Sequence, residues 1–175
     1  MKQKFLLLLL ATASFANIQT MNSFEADFQQ KIVDDHNKTI VYYGHIVAKK
    51  PQYALWSYTK PITKSVYILE NQAIIVEPEL EQAIIKKIGK NFDFFKLLHN
   101  AQKLSQNKYL ARYNNTTFII TTDKKSIQSI SYKDEFENSV TINFTNQTEN
   151  QKIDQKIDQK IFEPVIPDDY DVIRN

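Results

Sequence analysis

No cysteine occurs among the 175 residues, and that absence excludes disulfides, thiol nucleophiles, cysteine-ligated zinc and a lipid-anchored cysteine. Glycine is almost as scarce, with two, so no glycine-rich phosphate loop can be built. Tight turns must fall to Asn and Asp, which tolerate left-handed backbone better than other non-glycine residues. The histidines, His36, His45 and His99, stand far apart with no metal-ligand spacing, the pattern of solvated or partly buried side chains. No serine sits in a Gly-x-Ser-x-Gly elbow, and Asp168-Asp169 lies in a proline-bounded turn. Together these absences argue against an enzyme and against a bound metal or cofactor. Charge of one sign is missing too. Lys+Arg 22 and Asp+Glu 20 are interleaved, without the basic face that a nucleic-acid binder exchanges for counterions.

Long apolar runs are absent except at the start, where Lys2 and Lys4 precede Phe5 to Ala11 and Ser14-Phe15-Ala16 supplies small residues. This is the pattern of an export signal, cleaved after Ala16 or alternatively after Ala13. The run is too short for a membrane anchor. Removing residues 1–16 takes Lys+Arg from 22 to 20 against 20 acids, leaving a near-neutral, soluble chain. Its length suits one domain, residues 17–175, and is short for two.

What is present is mostly strand. From Tyr43 to Ala83, period-two alternation is broken by Lys50-Pro51, Lys60-Pro61 and Glu77-Pro78, which predicts four consecutive antiparallel strands in a meander. One face of the first strand carries Tyr42, Gly44, Ile46, Ala48 and Lys50, the other Tyr43, His45, Val47 and Lys49. Ile18 to Phe24 suggests one or two helical turns, followed by a strand with Phe24, Ala26 and Phe28 on one face. Phe94, Leu97, Leu98, Ala101 and Leu104 recur at three and four residues, predicting the one clear amphipathic helix, capped by Asn91 or Asp93. Further strands are predicted at Tyr109 to Tyr113, Thr116 to Thr122, Ile127 to Phe136 and Ser139 to Thr145. In QKIDQKIDQKI, residues 151–161, a four-residue period fits a helix or a strand equally well.

The order Gly-x-Ile, Lys50-Pro51, Trp56, Pro61 and Val76-Glu77-Pro78-Glu79-Leu80-Glu81-Gln82 resembles the LolA family of periplasmic outer-membrane lipoprotein carriers. Ser23 to Gln30 is similar to that family's opening strand, and Phe162, Pro164, Pro167 and Asp171-Val172-Ile173 to its closing one. The resemblance implies a mainly β fold with a few helices (α+β), an incomplete half-barrel whose concave apolar face is covered by helices. It implies a monomeric chaperone that takes triacylated lipoproteins released by an inner-membrane ABC transporter and delivers them to the outer membrane, with or without a separate receptor there. The family's receptor is itself a lipoprotein and needs a cysteine, so this chain can only be the soluble partner.

Aromatic side chains are more numerous than one small core requires. On the resemblance, Trp56 lines an apolar cavity for acyl chains, and Phe24, Phe28, Tyr53, Ile46, Ile75, Phe94 and Leu98 are expected beside it. Lys50 stands where the family usually has Arg, thought to tie the strand to the lid helices, and a lysine should latch the lid less firmly. Ala54, where the family often has a bulkier residue, puts the cavity's shape at variance with the family pattern. Asp35-His36-Asn37-Lys38-Thr39 also satisfies an N-glycan sequon at Asn37. The competing expectation is a regulatory module of the same fold that binds lipoproteins or a protein partner.

Overall fold

The computed structural model describes residues 18–88, 93–123, 126–150 and 157–174. The export signal, the Asn91 cap and the first part of the Gln-Lys-Ile-Asp repeat lie outside these residues. Twelve strands form one sheet: β1 Ser23–Val33, β2 Thr39–Lys49, β3 Tyr53–Lys60, β4 Lys64–Leu69, β5 Gln72–Glu77, β6 Gln82–Lys87, β7 Gln102–Ser105, β8 Lys108–Tyr113, β9 Thr116–Thr122, β10 Ile127–Lys133, β11 Ser139–Glu149 and β12 Asp171–Arg174. Their spatial order, β12-β6-β5-β4-β3-β2-β1-β11-β10-β9-β8-β7, makes two meanders that meet on the long central strand β1. All pairs are antiparallel except β12 on β6. The end strands β7 and β12 do not pair with each other, so the sheet stays open, as a half-barrel requires.

Register decides which face each side chain serves, because directly opposed residues share a face. Ala26, Ile46, Trp56, Val66, Ile75 and Ile84 form one transverse row, and Phe24, Ala48, Ala54, Ile68 and Ala73 form the next. From the other arm Phe144, Ile142, Ile130 and Ile120 join the same face. Of these residues Phe24, Ala26, Ile46, Ala48, Ala54, Phe144, Ile142, Ile130 and Ile120, with Ile18, Met21, Phe95, Leu97 and Leu98, belong to the main core, and Trp56 and Ile68 pack against it partly buried. The opposite face has a smaller apolar patch of its own. Ile74, Val76 and Ala83 are buried there, and Phe162 stacks on Tyr53 with ring centroids 5.6 Å apart.

Helical structure is slight. The short 3₁₀ turn Ile18–Thr20 precedes β1, as the sequence suggests. The amphipathic helix α1 spans only Phe94–His99, shorter than its periodicity predicts. Asn100 closes it by donating to Lys96 O and Leu98 O, and the next residues pair with β8 as a hairpin edge. Leu104 is therefore 55% exposed on β7 and not on a helix face. A strand predicted through Phe136 ends at Lys133, because Asp134 to Asn138 forms a turn in which Asp134 Oδ1 accepts from Phe136 N and Asn138 N. The described part of the repeat runs into the 3₁₀ turn Gln159–Phe162, in which Phe162 is buried. β12 is the expected closing strand, placed at the sheet edge.

Candidate lipid-binding site

Between α1 and the concave face of β2, β3 and β4 lies a largely enclosed apolar cavity of about 40 Å³. Its walls are Ile46, Ala54, Trp56, Ile68, Phe94 and Phe95, completed by Gln52, Tyr53 and Asp93. That volume holds a few water molecules and is far below the several hundred Å³ of a small-molecule site. The rings of Phe94 and Phe95 on α1 form one wall of that space.

Local chemistry explains the arrangement. Asp93 caps α1, its Oδ1 accepting from Phe95 N at 2.9 Å and Lys96 N at 3.1 Å, which satisfies amides that a helix start leaves unpaired. The cap directs Phe94 and Phe95 toward the sheet, 5.5 Å apart. Phe94 meets Phe24 at 6.3 Å, Phe24 meets Phe144 at 5.2 Å and Phe144 meets Trp56 at 6.4 Å. Phe28 continues the chain, 5.1 Å from Trp56 and 5.0 Å from Tyr58. Its ring can lie there because Gly44 has no side chain: a Cβ at Gly44 would stand 2.6 Å from Phe28 Cζ and 2.2 Å from Ser57 O.

At the far end of the concavity the character changes. Tyr58 donates to Gln30 Oε1 at 2.8 Å, and Lys64 Nζ lies 4.7 Å from the Tyr58 ring and 5.3 Å from the Tyr42 ring. Burial, with smaller effects from Tyr132 and Tyr42, pushes the Tyr58 phenol well above its ordinary value, so it stays a neutral donor.

Around α1, several polar contacts hold the helix down. His99 Nδ1 donates to Gln19 O at 3.1 Å, and Gln19 Nε2 donates to Ala101 O at 3.2 Å. Lys50 Nζ donates to Asn22 Oδ1 at 2.9 Å and lies 6.0 Å from the Phe95 ring centroid. Lys50 N also donates to Asn22 O at 2.9 Å. Asn22 N in turn donates to Asn150 Oδ1 at 2.7 Å. Lys50 thus joins the end of β2 to the segment preceding β1 and to a ring of α1.

Of the residues expected to line the cavity, Ile46, Trp56 and Phe94 do so directly. Tyr53 contributes to the lining, but its register opposite Lys49 places it on the other face of the sheet, where its ring covers Phe162. Phe24, Phe28 and Leu98 are fully buried in the core behind the cavity. Ile75 continues the row of Trp56 as a half-buried side chain outside the enclosed space. Ala54, singled out in the sequence for its bearing on the cavity's shape, is in the lining, whereas Phe95 and Ile68 were not anticipated there. Ile68 could have been found by counting in twos from Val66; Phe95 follows only once α1 is known to begin at Phe94.

Outside this site the polar clusters are structural. His45 Nδ1 meets Asp27 Oδ1 at 2.8 Å and Nε2 meets Glu25 Oε1 at 3.1 Å, on the outer face. A hydrogen bond from Asn146, then one from His45, holds the Asp27 carboxyl below its usual range. Asp34, Asp35 and His36 converge at an exposed hairpin tip, where Asp34 already accepts from His36 N and Lys38 N. Asn37 is exposed on the same tip with φ 61°.

Residues 19–123 match the family described as "Outer membrane lipoprotein carrier protein LolA". The chain belongs to the LolA family. A relative from Campylobacter jejuni named "Outer-membrane lipoprotein carrier protein" is 39% identical over 99% of this chain and 100% of its own length. One of the same name from Wolinella succinogenes is 37% identical over 78% of each chain. Among solved structures, an uncharacterized conserved protein from Thermus thermophilus superposes with a TM-score of 0.53 at 11% identity, covering 90% of this chain and 93% of that one, a likeness of fold alone. The half-barrel read from the LolA resemblance is the observed fold. Among the described residues no helix is long and apolar enough to cross a membrane.

Proposed function

We propose that this LolA-family protein binds the acyl chains of triacylated lipoproteins under α1 and carries them through the periplasm to the outer membrane. The observation that carries this reading is the apolar cavity on the concave face, walled by Trp56, Ile46, Phe94 and Phe95. Export by the signal at residues 1–16 brings the chain to that compartment. An inner-membrane ABC transporter supplies the cargo and the work of extraction, since the chain itself has no nucleotide-binding motif. Delivery ends at the outer membrane, through a receptor or directly. No catalytic step belongs to this role.

Each methylene moved from water into such a cavity gains about 0.8 kcal/mol, so a few chains bind strongly with no polar chemistry. The closed cavity is too small for them, so cargo must displace Phe94 and Phe95. A lid of six residues is cheap to move, because few hydrogen bonds are lost. Lid closure then opposes retention and favours handover, and Lys50 with Asn22 sets part of its strength.

The test is to add the purified protein to spheroplasts of its own host and recover the soluble fraction. The expected result is stoichiometric soluble complexes with lipoproteins, lost in Trp56→Glu protein that still folds. Absence of release by folded protein, with an active transporter present, would sink the carrier reading and favour the regulatory module.

A further inference from the structure

Three recesses meet at one rim of the sheet. The acyl cavity is closed at that rim by Gln52 and Tyr53. Gln52 also lines an open recess of about 480 Å³ with Pro51, Glu70 and Asn71. Glu70 and Asn71, in turn, line a groove of about 320 Å³ on the outer face, together with Tyr53, Gln159 and Glu163. Shared residues therefore join the cavity to the groove by way of the turns β2–β3 and β4–β5. The C-terminal segment walls the groove, anchored where Phe162 stacks on Tyr53.

The chemistry changes along this path from apolar to amide and carboxylate. Asn71 and Gln159 each carry a side-chain donor and an acceptor, the pair that an extended polypeptide backbone presents. Glu70 and Glu163 are the charged residues of the groove, both exposed, and among its described lining residues none is basic. A lipoprotein's acylated cysteine is its first residue, so cargo whose chains fill the cavity must lead its polypeptide out over a rim.

We propose that the rim recess and the groove under the C-terminal segment hold the polypeptide that follows the acylated cysteine, and that Glu70 and Glu163 make the site prefer basic over acidic residues there. This rests on the carrier reading above. The cavity reads only that cargo is acylated; the groove adds a charge preference at the peptide. Amide side chains accept any backbone, so the preference is one of degree, set by two solvent-screened charges. At about 0.15 M salt it amounts to about fivefold in affinity between fully basic and fully acidic peptides.

Three synthetic probes test this by direct binding to the purified protein: triacylated cysteine amide, the same lipid carrying Ser-Lys-Lys-Lys-Lys, and the same lipid carrying Ser-Glu-Glu-Glu-Glu. The Lys peptide is expected to bind about fivefold more tightly than the Glu peptide. In Glu70→Lys/Glu163→Lys protein the order should be lost or reversed, while triacylated cysteine amide binds as before. Glu135→Lys/Glu137→Lys, the same charge change on a distant hairpin tip, should leave the preference intact. Both pairs are exposed, and Glu70→Gln/Glu163→Gln, expected to shrink the preference, repeats the test with milder changes. Equal binding of the two peptides, a preference that survives both Glu70/Glu163 pairs, or one erased equally by the distant pair would overturn the proposal and leave the carrier reading standing. Failure of all three probes to bind folded protein would remove both.

Discussion

Gly44 shows how much one missing side chain can carry. Its backbone lies against Ser57 O and beneath Phe28, and a Cβ would come within 2.2 Å of the former. Gly44→Ala must push β2 from β3 or lift Phe28 off Trp56, and either costs about 1–3 kcal/mol. Urea unfolding should show that loss; a change under about 0.5 kcal/mol would mean that the strands adjust freely. Glu149 makes the converse case, a charge held at some cost. Burial raises its carboxyl above the ordinary value of 4.5; a hydrogen bond at Ile127 opposes the shift, and Asp123 adds to it. Between the ordinary and the raised value the folded state binds the proton that the unfolded state has released, so stability falls as pH rises through that window. Glu149→Gln should raise the unfolding midpoint at about pH 7 and have little effect at about pH 4. Equal effects at both would place the cost elsewhere. Neither role could be read from the sequence: Gly44 stands out only as one of two glycines, and Glu149 lies beyond the point where the predicted strand stops.

Individual elements divide into those whose local pattern sufficed and those decided by their neighbours. β2 to β5 were legible because alternation and proline breaks agree, and the inward row of Gly44, Ile46 and Ala48 is as expected. Parity across a turn was not legible. Tyr53 follows Pro51, and only the observed pairing with Lys49 sends its ring outward. For α1 the spacing of Leu97, Leu98, Ala101 and Leu104 favoured a longer helix, but pairing of β7 with β8 claimed the second half. In the proposed carrier that short helix is the lid, and two substitutions should move it in opposite directions. Asp93→Ala removes two cap hydrogen bonds, costs about 1 kcal/mol of closed lid and should tighten acyl-lipid binding about fivefold. Lys50→Arg, with more donors to Asn22 and a planar group over Phe95, should firm the closed state and weaken binding. Titration with triacylated cysteine amide reads both; identical affinities in the two variants and the parent would show that α1 is not the gate.

Taken whole, the molecule is a curved sheet with β1 at its centre, a core and cavity on its concave side, and a second apolar patch beneath the C-terminal segment. The family motifs made the half-barrel legible, and with it the concave site around Trp56. They gave no sign that Ile74, Val76 and Ala83 would be buried on the outer face, because alternation identifies two faces without saying what covers either. The central claim is that acyl chains enter the space beside Trp56, the one tryptophan in the sequence. Tryptophan emission, excited at wavelengths the nine tyrosines do not absorb, therefore reports on that site alone, and the most direct measurement is titration with triacylated cysteine amide carrying bromine on its acyl chains. The account predicts saturable quenching at one lipid per protein, with none from the unbrominated lipid and much weaker binding to Ile46→Glu protein. Tight binding of the brominated lipid with no quenching of Trp56 would contradict it.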